Sequence, residues 1–216
     1  AEVTYQYFSR PSDSAAVPGF HSASVMLLPR YYLGTTPAYL EVGGGALFFH
    51  LRPKRAVLSD NNERLVRTYK GVRDSVDDVI GLLRSYEHDK DFFLELRAQA
   101  IDVKTDAEVA AWFIYLNKTG FNGLYRVNSR NIFNVPFGDY ASPKICDEPN
   151  LRACAAALAG AAIHHEPFEV VETRAKKGDF VYFDPPYVPL SASSMFTSYT
   201  AEGFGPKDQE RLRDVA

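Results

Sequence analysis

A carboxylate, two prolines and a tyrosine follow one another directly after an apolar run that ends at Phe183. A carboxylate and a backbone carbonyl can accept the two N–H bonds of an exocyclic base amine, whose lone pair is otherwise delocalised into its ring. An amine held in this way directs its lone pair at an electrophile, and such positioning supplies much of the rate between two bound reactants. The residues that carry this pattern are Asp184, Pro185, Pro186 and Tyr187.

Each of these residues has a distinct predicted role. Asp184 offers the carboxylate, and Pro185 offers a carbonyl on backbone that its own ring and Pro186 restrict. Tyr187 offers a ring on which an extruded base can stack, worth about 1–3 kcal/mol. Prolines end the strand here, and the carboxyl ends of strands are where open α/β sheets bind ligands. The alternative is a proline-rich turn, but the apolar strand directly before it favours a functional site.

A glycine run and a strand-ending carboxylate form a second candidate site. The glycines lie between an apolar approach, residues 38–40, and a helical run from Ala46, so the backbone can approach a cofactor closely. Asp60 ends a second apolar run, where a carboxylate can accept both ribose hydroxyls of a cofactor. The alternative for Asp60 is a helix N-cap, a role that Asn61 or Asn62 could take instead. The candidate cofactor-binding residues are Glu41, Gly43, Gly44, Gly45, Asp60, Asn61 and Asp184.

The segment from residue 117 to residue 140 is dense in Asn, Gly, Arg and aromatic residues and has no sustained hydrophobic period. Arginine suits guanine and asparagine suits adenine in the major groove. Tyr125, Phe133 and Tyr140 are candidates for wedging or stacking where a base leaves the duplex. The alternative is an ordinary polar surface loop. The candidate DNA-binding residues are Lys118, Asn122, Arg126, Asn128, Arg130, Pro136 and Tyr140.

Strand-like and helix-like runs alternate along the chain, which predicts an α/β domain with a mostly parallel sheet. Apolar spacing predicts helices over 63–84, 106–116 and 151–162. Short runs rich in β-branched and aromatic residues predict strands over 55–58, 168–171 and 180–183. We expect residues 1–37 to remain unassigned.

Composition bounds the class of protein. The 216 residues are 46% hydrophobic and 24% charged, with a formal charge of -3, so a globular chain is expected rather than a basic nucleic-acid coat. Two cysteines cannot form a disulfide framework, and no apolar run reaches about 18 residues, so we expect an intracellular chain without a membrane span. His164 and His165 lack a third ligand at metal spacing, so no metal site is expected.

Three stretches resemble Dam-type N6-adenine-specific DNA methyltransferases. Residues 183–187 match the catalytic motif of amino-methyltransferases. Residues 116–126, 133–138 and 189–199 are similar to the Dam type specifically. Two departures stand out: the glycine motif is two residues shorter than in the family, and Ser129 to Ile132 occupy the place of a usual glycine.

The resemblance implies a Rossmann-like core that uses S-adenosyl-L-methionine and carries a DNA-recognition insertion. Residues 38–116 would form the cofactor-binding half, 117–150 the target-recognition insertion and 151–216 the catalytic half. By the family pattern Asn122 and Arg126 are the best candidates for direct DNA contacts. The family's opening lysine- and glycine-containing segment is not found in residues 1–37, and the catalytic half is expected to be incomplete at its C-terminus.

The implied activity is site-specific methylation of the N6 amine of an adenine flipped out of double-stranded DNA. The implied setting is the cytoplasm of a bacterium, or a phage gene, with a restriction endonuclease for the same site as a partner in a restriction–modification pair. Two alternatives are a catalytically silent DNA-binding or specificity chain, and an amino-methyltransferase that acts on RNA or a protein amide.

Overall fold

The computed structural model describes residues 5–8, 44–53, 55–177, 179–185 and 204–216. The strands in this part of the chain are β1 (Tyr5–Phe8), β2 (Ala56–Asp60), β3 (Ala161–His165) and β4 (Phe180–Phe183). The helices are α1 (Gly44–Leu51), α2 (Glu63–Asp74), α3 (Val76–Ser85), α4 (Lys90–Arg97), α5 (Asp106–Thr119), α6 (Glu148–Leu158), α7 (Val171–Arg174) and α8 (Pro206–Val215). Short 3₁₀ turns lie at Ile101–Val103, Phe121–Gly123 and Phe168–Val170.

The four strands form one sheet in the order β3-β2-β1-β4. Strands β2 and β3 pair in parallel, whereas β1 pairs antiparallel with both β2 and β4. Strands β2, β3 and β4 therefore run in one direction, and β1 runs against them. The predicted α/β class is confirmed, and the described sheet is mixed, with β2 and β3 as its parallel pair.

Helices α2 and α5 cross closely, and both contribute buried side chains to the main core. A Cβ atom at Gly71 of α2 would lie 2.3 Å from the carbonyl oxygen of Asp106, so only glycine allows this approach. Trp112 of α5, predicted to be a core residue, is 1% exposed and donates its indole N–H to the carbonyl of Leu96 at 2.9 Å. In the part of the chain that the structure describes, no helix has the length and apolar character needed to cross a membrane.

Local side-chain chemistry fixes where these helices begin. Thr105 and Glu108 form a capping box at the start of α5, each bonding the backbone N–H of the other. The side chain of Asp89 accepts hydrogen bonds from two backbone N–H groups at the start of α4. These bonds satisfy donors that have no partner within the helix.

Three predicted elements are wrong in extent or type. The helix predicted over 63–84 divides at Ser75, whose backbone leaves the helical region at φ -143°. The helix predicted over 151–162 ends at Leu158, and residues 161–165 form β3 instead. The strand predicted over 168–171 is a 3₁₀ turn leading into α7, because Val170 N–H closes a turn onto the carbonyl of Pro167.

Candidate active site and nucleic-acid interface

Asp184 lies directly after β4, and its residue is 5% exposed. Pro185, which is half-buried, follows it and ends the strand because proline has no N–H to donate to a ladder. The sequence therefore delivers a buried carboxylate and a restricted backbone carbonyl to the carboxyl end of a strand. Pro186 and Tyr187 lie outside the described residues.

The sheet register brings Asp184 and Asp60 to one edge. Tyr5 of β1 pairs with Ser59 of β2 on one side and with Phe183 of β4 on the other. Asp60 and Asp184 each follow a partner of this same residue. Because neighbouring strands are about 4.8 Å apart, the two aspartates lie two strand spacings apart, roughly 10 Å. Two buried carboxylates thus lie at the carboxyl ends of β2 and β4, on either side of β1.

Asp60 is the last residue of β2, and its residue is 4% exposed. Its Oδ1 atom accepts a hydrogen bond from the backbone N–H of Asn62 at 2.6 Å. The cap of α2 is Asn62, whose Oδ1 accepts from the N–H of Leu65 at 3.3 Å. The predicted transfer of the capping role from Asp60 to a neighbouring asparagine is confirmed. Asn61 lies between them and is half-buried.

The carboxyl end of β3 supplies polar groups beside Asp60 that the sequence did not indicate. Glu166 donates its backbone N–H to the carbonyl of Asp60 at 3.2 Å, and its carboxylate accepts from the Ser59 hydroxyl at 2.9 Å. Arg174 of α7 pairs with the same carboxylate. The His165 ring nitrogen Nε2 lies 3.0 Å from the carbonyl of Asn61. The sequence pattern does not indicate this role, because residues 161–162 favour the end of an alanine-rich helix rather than the start of a strand.

Of the glycine run, Gly44 and Gly45 are the first residues of α1, so the predicted glycine-to-helix transition is confirmed. The apolar approach over 38–40, Glu41 and Gly43 lie outside the described residues. The structure shows in addition that α1, which precedes β2 in the chain, packs into the main core through Phe48.

The segment from Gly120 to Tyr140 is a loop fixed at several points. Isolated bridges join Gly120 to Phe137 and Val127 to Phe133. Tyr125 stacks on Phe113 of α5 with 4.5 Å between the ring centroids. Tyr125 and Phe133 are 4% and 2% exposed, so their predicted wedging role is wrong: both rings belong to the core under the loop. Tyr140 is half-buried and donates its hydroxyl to the carbonyl of Gly120 at 3.2 Å.

The polar candidates of this loop occupy different environments. Arg126 is half-buried, and its Nε donates to the Asn134 side chain at 2.7 Å. Asn128 is also half-buried, and its oxygen accepts from two backbone N–H groups of the loop tip, those of Arg130 and Ile132. The exposed candidates are Asn122, at φ 53°, together with Arg130 and Pro136.

Asn131 lies at the tip of the loop. Its backbone has φ 57°, a left-handed conformation that glycine favours and that asparagine tolerates better than other residues. The tip therefore makes this turn without a glycine.

Lys118, near the end of α5, is half-buried. Burial lowers the pKa of its ammonium group to about 8, because the charged form loses hydration, and Lys144 lowers it further while Asp147 raises it. Lys118 is therefore a cation whose charge changes near physiological pH.

The family of D12 class N6 adenine-specific DNA methyltransferases matches residues 39–216 of this chain. A fold with buried carboxylates at two strand ends, one of them followed by a proline, is in keeping with that match, and the chain belongs to this family. The predicted resemblance is confirmed.

Three relatives illustrate the similarity. The chain is 46% identical over 181 residues to the type II methyltransferase M1.LlaDCHI of Lactococcus lactis subsp. cremoris, covering 80% of this chain and 64% of that protein. It is 42% identical over 197 residues to the type II methyltransferase M.MjaIII of Methanocaldococcus jannaschii, covering 83% and 68%. It is 34% identical over 179 residues to the DNA adenine methylase of Salmonella typhi, covering 81% and 64%. The chain thus spans about two thirds of the length of these relatives.

Proposed function

We propose that this chain is the catalytic part of a site-specific DNA adenine methyltransferase, which methylates the N6 amine of an adenine flipped out of double-stranded DNA. The observation that carries the proposal is the buried carboxylate of Asp184, followed by Pro185 at the end of β4. Membership of an adenine-specific family supports adenine as the target base.

The chemistry assigned to Asp184 follows from its burial. A buried carboxylate makes a stronger hydrogen bond to an amine N–H than one in water does, because the local dielectric is low. With the carbonyl of Pro185 accepting the second N–H, the amine nitrogen becomes more tetrahedral and its lone pair acquires one direction. Tyr187 stacks on the extruded ring, and Pro186 keeps the segment between them stiff.

The residues at the carboxyl end of β2 and at the start of α1 fit S-adenosyl-L-methionine, whose sulfonium supplies an electrophilic methyl group. Asp60 is buried at a strand end and is released from capping α2 by Asn62, as a ribose-binding carboxylate requires. Gly44 and Gly45 open α1, where backbone can approach a nucleoside. The cofactor-binding set that we propose is Glu41, Gly43, Gly44, Gly45, Asp60, Asn61 and Asp184.

The loop 120–140, with Lys118 before it, is the proposed DNA-reading surface. Its exposed residues Asn122 and Arg130, and the half-buried Arg126, present amide and guanidinium groups that match base edges and phosphates. The residues proposed to contact DNA are Lys118, Asn122, Arg126, Asn128, Arg130, Pro136 and Tyr140. The Rossmann-like core with residues 117–150 as a target-recognition insertion remains part of this proposal.

The cellular setting is also a proposal. Two of the relatives with the higher identities are named type II methyltransferases, which supports a restriction–modification pair with an endonuclease for the same site. A cytoplasmic location goes with that setting.

Transfer of a tritiated methyl group tests the proposed activity. The full-length protein is incubated with labelled S-adenosyl-L-methionine in three parallel reactions, which contain unmethylated duplex DNA, RNA or protein. We expect label in duplex DNA alone, and none with Asp184→Ala. Label in RNA or protein, or equal labelling of DNA by Asp184→Ala, would refute the assignment.

A further inference from the structure

The tip of the DNA-reading loop is a small hairpin closed by its own backbone. Asn131 N–H donates to the carbonyl of Asn128 at 2.9 Å, and Asn128 N–H donates to the carbonyl of Ile132 at 2.9 Å. The side chain of Asn128 accepts from Arg130 N–H at 2.9 Å and from Ile132 N–H at 3.1 Å. These bonds fix the shape of the hairpin, but they do not fix its position on the rest of the domain.

A buried arginine from helix α2 connects the tip to the domain. Arg64 donates Nη1–H to the carbonyl oxygen of Asn131 at 2.7 Å. Its Nε and Nη2 atoms both donate to the carboxylate of Asp102, each at 2.7 Å. The guanidinium carbon lies 5.5 Å from the centre of the Trp112 ring. All three guanidinium nitrogens are thus bonded, and Arg64 is 8% exposed.

This arrangement is a rigid anchor rather than a surface ion pair. The planar guanidinium is held in a bidentate pair on one edge and against an aromatic face, so little side-chain freedom remains. Asp102 balances the buried charge, which would otherwise cost several kcal/mol. The bond to the Asn131 carbonyl is charge-assisted and partly buried, which makes it stronger than a neutral bond in solvent.

The anchor lies between the two candidate reading groups and the cofactor end of the sheet. Arg130 is adjacent to Asn131, and Arg126 is bonded to Asn134 across the hairpin, where Asn134 N–H also donates to the carbonyl of Arg126 at 3.0 Å. Arg64 stands four residues after Asp60, within the first turn of α2. The tip of the hairpin is therefore bonded to the segment that carries the candidate ribose-binding carboxylate, in addition to the Val127–Phe133 bridge and the buried rings that hold the base of the loop.

We propose that Arg64 is a positioning residue for site discrimination: it holds the Asn131 carbonyl and so fixes Arg126 and Arg130 against the bases, without itself contacting DNA. This proposal rests on the proposed function. A phosphate-binding arginine would weaken binding to all sequences alike, whereas a positioning arginine lowers the preference for the cognate site.

Helix α2 offers a matched control. Arg67 lies three residues after Arg64, pairs with Asp106 at 2.6 Å, and donates to the carbonyl groups of Asp102 and Lys104. It braces the same connection between α4 and α5, and within the described part of the chain it bonds no residue of the hairpin. Arg67→Lys therefore reproduces the loss of a guanidinium from α2 without releasing the tip.

Hydrogen exchange in the DNA-free protein tests the anchor itself. In Arg64→Lys we expect the amides of Asn131 and Ile132 to exchange roughly tenfold faster, while amides of α5 keep their wild-type rates. Asp102→Asn is the second variant, for use if Arg64→Lys folds poorly. It alters a carboxylate whose side chain is 60% exposed, and it should accelerate the exchange of the same amides. Unchanged tip exchange in both folded variants would overturn the proposal, as would equal acceleration in Arg67→Lys.

Binding selectivity tests the functional half. Fluorescence anisotropy gives the Kd for a duplex with the mapped methylation site and the Kd for a duplex with one base of that site changed. The second Kd divided by the first is the selectivity ratio. We expect Arg64→Lys to reduce the wild-type ratio by roughly tenfold, as one lost bidentate base contact would, and Arg67→Lys to preserve it. Asn131→Gly should also preserve it, since the anchored group is a backbone carbonyl and φ 57° suits glycine.

Three outcomes would overturn the selectivity proposal: an unchanged ratio in folded Arg64→Lys, equal weakening on both duplexes, or the same loss in Arg67→Lys. A wild-type protein that selects no DNA sequence would refute the proposed function and the selectivity role together. The exchange rates require no DNA, so in that case they decide separately whether Arg64 holds the tip.

Discussion

Asn62, rather than Asp60, caps helix α2. The Asn62 side chain accepts the N–H of Leu65, while Asp60 accepts the backbone N–H of Asn62 at 2.6 Å. The two polar side chains thus have separate tasks: Asn62 caps the helix, and the buried Asp60 carboxylate bonds a backbone N–H at the carboxyl end of β2. This division makes the cofactor role of Asp60 testable apart from the stability of the helix.

Asp60→Ala should weaken binding of S-adenosyl-L-methionine more than binding of DNA, because the proposed ribose contact is lost. Asn62→Ala is the matched control: it should lower the free energy of unfolding by about 0.5–2 kcal/mol through loss of the cap, with a smaller effect on the cofactor. Calorimetric titration measures the cofactor Kd, and urea denaturation measures stability. Equal cofactor affinity in wild type and Asp60→Ala would rule out the ribose role.

Arg126→Ala should reduce the difference in binding free energy between cognate and non-cognate DNA by about 1–3 kcal/mol, the value of a bidentate base contact. Asn134→Ala removes the partner that holds the guanidinium and should produce a smaller reduction of the same sign. Competition binding with single-base variants of the site measures both. A uniform loss of affinity on every sequence would instead identify Arg126 as a phosphate contact.

The charge of Lys118 predicts a pH dependence of DNA binding. Its pKa is lowered to about 8, so the group is cationic at lower pH and neutral at higher pH. DNA affinity should therefore fall between pH 7 and pH 9, where an ordinary lysine with a pKa of about 10.4 would stay charged. Lys118→Arg, which keeps its charge throughout, should flatten this profile when affinity is measured at fixed ionic strength. A profile that Lys118→Arg leaves unchanged would exclude Lys118 as its source.

The same group has an opposite effect on stability. Because its pKa is lower in the folded protein than the ordinary 10.5, the unfolded chain binds more protons between about pH 8 and pH 10.5. The contribution of Lys118 to the free energy of unfolding should therefore rise with pH across that window. Urea denaturation of wild type and Lys118→Met at pH 7.5 and pH 10 isolates this contribution, and a decrease with pH would contradict the burial of the ammonium group.

Two helical glycines predict opposite effects of one substitution. Gly71→Ala should lower the free energy of unfolding by about 1–3 kcal/mol, because its Cβ would meet the carbonyl oxygen of Asp106 at 2.3 Å. Gly81→Ala in α3 has open space around the added atom and should raise stability by about 0.5–1 kcal/mol through helix propensity. Thermal and urea denaturation measure both, and stabilisation by Gly71→Ala would contradict the close crossing of α2 and α5.

Local signals explain what the sequence predicted well. Strands β2 and β4 are short runs rich in apolar residues that end at polar or proline residues. Helix α2 carries a clear apolar period, and α5 is apolar and buried on most of its faces. The proposed catalytic motif is contiguous in sequence, so the position of Asp184 and Pro185 at a strand end needed no knowledge of the fold. A cap among residues 60–62 was likewise predictable from their place before a helical run, and the structure selects Asn62.

Long-range contacts explain what the sequence did not predict. Ala161 and Ala162 favour a helix locally, and they form β3 because Ala161 and Ile163 pair with residues of β2. The bond from Arg64 to Asn131 joins residues 67 positions apart, and neither residue type predicts this contact. Tyr125 and Phe133 resembled exposed wedges because an aromatic residue in a polar loop gives no sign of the cavity that it fills.

Asp184 and Tyr187 should affect different steps. Asp184→Ala should lower kcat far more than it weakens binding of either substrate, because its contact with the amine matters mainly in the transition state. Tyr187→Phe should keep much of the activity and Tyr187→Ala should lose it, since the ring supports the extruded base. A target adenine placed in a mismatch should partly rescue Tyr187→Ala and not Asp184→Ala. Fluorescence of 2-aminopurine placed at the target position reports extrusion of the base. If Asp184→Ala lost this signal and Tyr187→Ala kept it, the two roles would be reversed.

Identification of the methylated nucleoside tests the central claim most directly. Duplex DNA treated with the full-length protein and S-adenosyl-L-methionine is digested to nucleosides, which are separated and weighed by mass spectrometry. The proposed site predicts N6-methyladenine as the methylated base, and none above background with Asp184→Ala. Methylcytosine as the product, or N6-methyladenine formed by Asp184→Ala at the wild-type rate, would contradict it.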